Sequence, residues 1–119
     1  MRPQNQPNKR DFSTYDTLRP SADLLRNIDP LAATLLYRKM LQVIVEQAKS
    51  KYYNYAAKDL VTCGLLNSQI TNWENYQPHN AYLLSLQQSH KRKLGFWAEY
   101  KSALQRQASK EKKQRDRQI

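Results

Sequence analysis

Between Leu31 and Ala48 the apolar residues Leu31, Leu35, Leu36, Met40, Leu41, Ile44, Val45 and Ala48 recur at three- and four-residue intervals. That spacing places them on one broad face of an α-helix. Just before it, Asp29 can accept from the free N–H groups of a first turn, and Pro30 brings a preset φ without forfeiting a needed donor. The pattern predicts a helix over Pro30–Lys49 as the central element. Ser50 to Tyr53 breaks the direction, and Ala56, Ala57, Leu60, Val61, Cys63, Leu65, Leu66 and Ile70 restart a helical rhythm. A short break between two amphipathic helices implies an antiparallel hairpin. Thr71 to Gln77 is polar apart from Trp73 and Tyr76. Pro78 then marks the start of a third helix carrying Ala81, Tyr82, Leu83 and Leu86, and a fourth follows Lys91–Gly95 with Phe96, Trp97, Tyr100 and Leu104. Leu24, Leu25 and Ile28 fit a short leading helix over Ser21–Asn27. No stretch alternates apolar and polar residues, and only Gly64 and Gly95 are glycine, so no sheet is expected. The fold class is all-α, drawn as two stacked antiparallel helical hairpins, with Leu35, Leu41, Ile44, Leu60, Leu66 and Trp97 in the core.

The pattern also divides the chain. Its 119 residues suit one domain. Residues 1–20, rich in Asn, Gln, Pro and charge, read as a flexible N-terminal segment, and 21–108 as the helical domain. Residues 109–119 read as a basic extension, either frayed helix or disordered, because they have no buried stripe.

Charge sharpens the picture at the C-terminal end. Of a net +10, Lys91 to Ile119 holds ten Lys/Arg against three Asp/Glu, whereas Asp23 to His90 holds six against five. Such clustering attracts nucleic acid, anionic lipid or acidic protein without choosing among them. The single cysteine, Cys63, excludes an intramolecular disulfide and a cysteine-based metal cage, and it fits a cytoplasmic protein. No apolar run reaches the length of a membrane span, and the N-terminus lacks the apolar stretch of a signal peptide.

Catalytic signatures are absent from the sequence. His79 and His90 lie in no metal-binding spacing, Cys63 falls on the apolar helix pattern, no nucleophile motif surrounds any serine, and two glycines leave no room for a phosphate loop. No enzyme, metal or cofactor is expected. His90 is expected to satisfy carbonyls at a helix end, His79 to pack or hydrogen-bond near a helix start, and Cys63 to be core. Three basic groups are candidate binding residues. Lys49, Lys51 and Tyr52 belong to a Lys/Tyr-rich turn, where rings can stack on bases while ammonium groups meet phosphates, or where tyrosines simply pack the corner. His90, Lys91, Arg92 and Lys93 precede Phe96–Trp97. They could hold a phosphate or acidic partner, or Arg92 and Lys93 could close ion pairs while the aromatics cap the core. Lys110, Lys112, Lys113, Arg115 and Arg117 form the tail, read as a solvated extension or a nucleic-acid contact.

The run Asp29-Pro-Leu-Ala-Ala-Thr-Leu-Leu-Tyr-Arg38 resembles the opening of an uncharacterised bacterial helical domain family. Ser50-Lys51 with Tyr53, Ala56-Ala57 and Leu60 resembles its second helix, His79 with Tyr82-Leu83 its third, and His90, Arg92-Lys93 and Phe96-Trp97 its closing motif. The likeness covers Asp29 to Trp97, 69 of the 119 residues. It implies tetratricopeptide-like helices and kinship with segments that close larger proteins, some with SWIM-type zinc fingers. It departs at Lys58-Asp59, where the family carries Arg and an aromatic, and a single cysteine cannot supply a SWIM zinc site. The function expected is a non-catalytic module with a protein partner, since stacked helices form grooves for peptides or helices. The alternative is a small nucleic-acid-binding protein acting through its basic C-terminal quarter.

Overall fold

The computed structural model describes residues 17–117, and all of its regular structure is helical. Helix α1 covers residues 17–25, α2 Pro30–Glu46, α3 Tyr53–Leu66, α4 His79–Ser89 and α5 Leu94–Arg117, with single 3₁₀ turns at Ser50–Tyr52 and Asn67–Gln69. The leading helix thus begins earlier than its apolar residues indicate. Residues 17–20, assigned from the sequence to the flexible segment, are helical, and Leu18 packs on the core. The rest of that segment lies outside the described residues.

Helix α2 starts as its sequence predicts: Asp29 Oδ1 accepts from the Ala32 N–H at 3.1 Å, and Pro30 opens the first turn. It ends three residues sooner than the apolar pattern. Ala48 takes a left-handed φ of 52°, its N–H bonds to the Val45 carbonyl, and the Lys49 N–H bonds to the Ile44 carbonyl. Those two bonds cap the helix in a Schellman arrangement and reverse the chain toward α3.

α2 and α3 pack against each other, and α3 packs nearly as extensively against α5. Helix α3, rather than α2, therefore lies between the other two. Its start meets the start of α5: the Tyr53 ring stands edge-on to Phe96 at 5.8 Å, and a Cβ on Gly95 would meet the same tyrosine at 3.5 Å. At the far ends, Val61 and Leu65 of α3 share a surface with Ala103 and Arg106 of α5. α3 and α5 consequently run in the same direction, with α4 crossing back between them. The sequence expectation paired α5 with α4; the extensive packing partner of α5 is α3.

The core holds Tyr37, Met40, Leu41, Ile44 and Val45 from α2, Ala56, Ala57, Leu60, Cys63 and Leu66 from α3, Leu86 from α4 and Phe96 from α5. Of the expected core residues, Leu35 and Trp97 are only half-buried; Leu104, on the apolar pattern of the last helix, is exposed. Phe96 and Ala103, seven residues apart, form the face of α5 that meets α3, which leaves Trp97, Tyr100 and Leu104 toward its edge. A buried carboxylate completes the interior. Asp59, 1% exposed, accepts from Arg19 at 2.8 and 2.9 Å, which ties α1 to the middle of α3.

Candidate functional site

The parallel course of α3 and α5 opens a groove of about 450 Å³ between them, closed at one side by Arg26 just beyond α1. Its apolar floor is Val61 and Leu65 from α3 and Ala103 from α5; Leu65 remains 37% exposed. Four cations line it: Arg26, Lys58, Arg106 and Lys110. No described carboxylate is among its lining residues. On α3, Lys58, Val61, Thr62 and Leu65 follow i, i+3, i+4, i+7, so one helix face carries both a cation and the floor. On α5, Arg106 and Lys110 are one turn apart, and a shallower concavity continues from them to Lys113.

Among the residues singled out in the sequence, Lys110 alone lines this groove. The others fall into two groups at opposite ends of α5. Lys49, Lys51 and Tyr52 precede α3, and His90, Lys91, Arg92 and Lys93 precede α5; because the two helix starts meet at Tyr53, Gly95 and Phe96, these turns are neighbours. Lys112, Lys113, Arg115 and Arg117 lie at the other end of α5, roughly 30 Å along its axis at 1.5 Å per residue. The tail is helical in the structure, and residues 108–117 are all exposed.

The turn residues have structural work as well. Trp97 Nε1–H donates to the His90 carbonyl at 2.9 Å and closes the α4–α5 turn, while Tyr53, Phe96, Trp97 and Tyr100 form a chain of edge-on rings. Among the described residues Arg92 and Lys93 make no ion pair, while Phe96 and Trp97 of the ring chain pack on the core. Tyr53 is buried at the α2–α3 corner, and Lys51 Nζ lies 5.6 Å over the Tyr52 ring.

The nucleophilic and basic side chains of the interior are sequestered. Cys63 is fully buried, its thiol directed at the Thr34 carbonyl at 3.8 Å, and burial pushes its pKa up to about 12. His79 is 7% exposed beside Gly64, where a Cβ would come within 3.3 Å of its Nε2. Burial first, and the Arg38 charge second, hold its pKa below the ordinary imidazole value. Among the described residues no group of three or more His, Cys, Asp or Glu could hold a metal ion, and no helix is long and apolar enough to cross a membrane.

Sequence reading missed Arg26, Lys58 and Arg106 because they sit on separate segments without local clustering, and only the packing of α3 on α5 assembles them. The one local signal was Lys58 in register with Leu65 on a single face. No curated protein and no solved structure matches the chain. A family match does: over residues 4–99, which include α1 to α4, the start of α5 and the α3 half of the groove, the chain belongs to a family of unknown function (DUF6880).

Proposed function

We propose that the protein is a non-catalytic helical module that binds a protein partner, and that the groove between α3 and α5 receives an acidic amphipathic helix or peptide. The observation that carries this reading is the pairing of an apolar floor, Val61, Leu65 and Ala103, with four surrounding cations and no described carboxylate. An amphipathic helix laid into a groove contributes its apolar stripe to the floor and its flanking acids to the walls. Opposite charges along the rim accelerate and orient the encounter, while the floor supplies the non-directional attraction. Phosphates alone would have no use for that floor, and no described aromatic ring lines the groove for base stacking.

The decisive experiment is affinity capture from the native cell with and without nuclease, using the wild type and a Lys58→Glu/Arg106→Glu variant. A protein retained after nuclease by the wild type and lost with the variant is the expected result. Nuclease-sensitive capture of everything bound would replace this reading with the second one. That second reading, nucleic-acid binding, draws on the exposed α5 extension with Lys110, Lys112, Lys113, Arg115 and Arg117.

A further inference from the structure

Another concavity, of about 520 Å³, lies between α2 and the loop leading to α4, and its lining includes Arg38, Lys39 and Glu46 of α2 with Tyr76, Gln77 and Tyr82. Arg38 is 6% exposed, yet no described carboxylate pairs with it. Its guanidinium carbon lies 4.2 Å from the Tyr82 ring centroid and 5.2 Å from that of Trp73, so two aromatic rings neighbour the charge. Its Nη2 donates to the Gln77 carbonyl at 2.7 Å, whereas Nε has no acceptor among the described residues. The Tyr82 hydroxyl, on a residue 7% exposed, also lacks a described partner. Ring quadrupoles and one carbonyl offset only part of the cost of desolvating a guanidinium. A planar fork of N–H donors fits a carboxylate with two parallel bonds, and the neighbouring rings and the Gln77 carbonyl hold the group in place in advance.

We infer that this cavity binds the carboxylate of a small organic acid on Arg38. The volume is within the range of small-molecule pockets. Glu46, on the same lining, makes no ion pair with Arg38 and bonds to Gln42 at 3.3 Å, so it leaves a negative charge toward one side of the cavity. Lys39, on the same lining, carries the opposite charge, and both rim groups are exposed, so recognition of the acid rests on the Arg38 guanidinium rather than on the rim. The cavity shares no residue with the α3–α5 groove, so acid binding here stands or falls independently of a partner seated there.

The test uses the full chain with ¹⁵N-labelled arginine, titrated at neutral pH and constant ionic strength with sodium butyrate or sodium chloride alone. The Arg38 Nε–H resonance is assigned by its absence in Arg38→Lys, which keeps a cation beside the rings. Butyrate should shift it saturably and chloride should not. A wild-type resonance unmoved by butyrate overturns the inference without reliance on any variant's folding. Shifts identical in chloride would overturn it equally.

Discussion

Ala48 shows how one residue can hide a boundary and leave a measurable strain. A left-handed φ brings an alanine Cβ against the following carbonyl, a conflict that glycine lacks. Ala48→Gly should therefore raise the unfolding free energy by about 0.5–1 kcal/mol, less than the whole strain because glycine also loosens the unfolded chain. A urea titration with unchanged m-value checks it, and a destabilised variant would show the strain argument wrong. His79 predicts a response to acid. Its folded pKa lies below the unfolded value near 6.5, so below about pH 6.5 the unfolded chain gains a proton that the fold, with Arg38 nearby, resists. Stability should decline as pH falls below about 6.5 in the wild type and decline less in His79→Gln, measured by denaturant midpoints at each pH. Cys63 has the opposite sign. Burial raises its pKa to about 12, so stability is fully present below the unfolded thiol value near 8.5 and is lost as pH climbs from there toward 12. Burial raises Tyr37, Tyr82 and Tyr100 in the same direction, which steepens the alkaline loss above about pH 10.

Between elements, the Arg19–Asp59 pair is an asymmetric bond. Asp59 is 1% exposed and Arg19 30% exposed, so removing the arginine leaves a buried carboxylate, while removing the acid leaves a cation that water can reach. Arg19→Ala should cost more than Asp59→Asn, as read from chemical denaturation; equal costs would place the pair's value in packing rather than charge. The pair sits beside the groove: Asp59 is held by α1, and the neighbouring Lys58 lines the groove. Where an element's signals are local, they were legible. Asp29-Pro30 marked the start of α2 because cap and first turn are adjacent in sequence, and Leu41, Ile44, Leu60 and Leu66 are buried because helical periodicity records a face. The end of α2 was hidden because Ala48 carries no glycine signal for its conformation. Pairing was hidden for a different reason: periodicity says which face is apolar but not which neighbour covers it. Phe96 and Ala103 meet α3, and the groove cations on α3, α5 and the turn after α1 follow from that packing.

At the scale of the whole molecule, the C-terminal turns of α5 carry charge all round and bury nothing. Truncation after Gln107 would remove Lys110, Lys112, Lys113, Arg115 and Arg117 with Glu111 and Asp116, lowering net charge by five minus two, from +10 to +7. Every described residue beyond Gln107 is exposed, so unfolding free energy should change by no more than about 0.5 kcal/mol. Binding then separates the two functional readings. A protein partner seated on Val61, Leu65 and Ala103 keeps the floor with Arg26, Lys58 and Arg106, and loses only Lys110 from the walls. Its affinity should fall by less than about tenfold, since exposed ion pairs contribute roughly 0–1 kcal/mol each. A nucleic-acid ligand drawn by the tail would instead be released from all five of these cations at once. The plot of its log affinity against log salt should then become shallower by about 0.7–0.9 for every phosphate the protein no longer neutralises. Measuring full-length and truncated protein against the captured partner and against single- and double-stranded nucleic acid, over a salt series, decides the matter. Groove binding predicts a truncated protein that still captures its partner; failure of capture with the fold intact would move the binding surface from the groove to the end of α5.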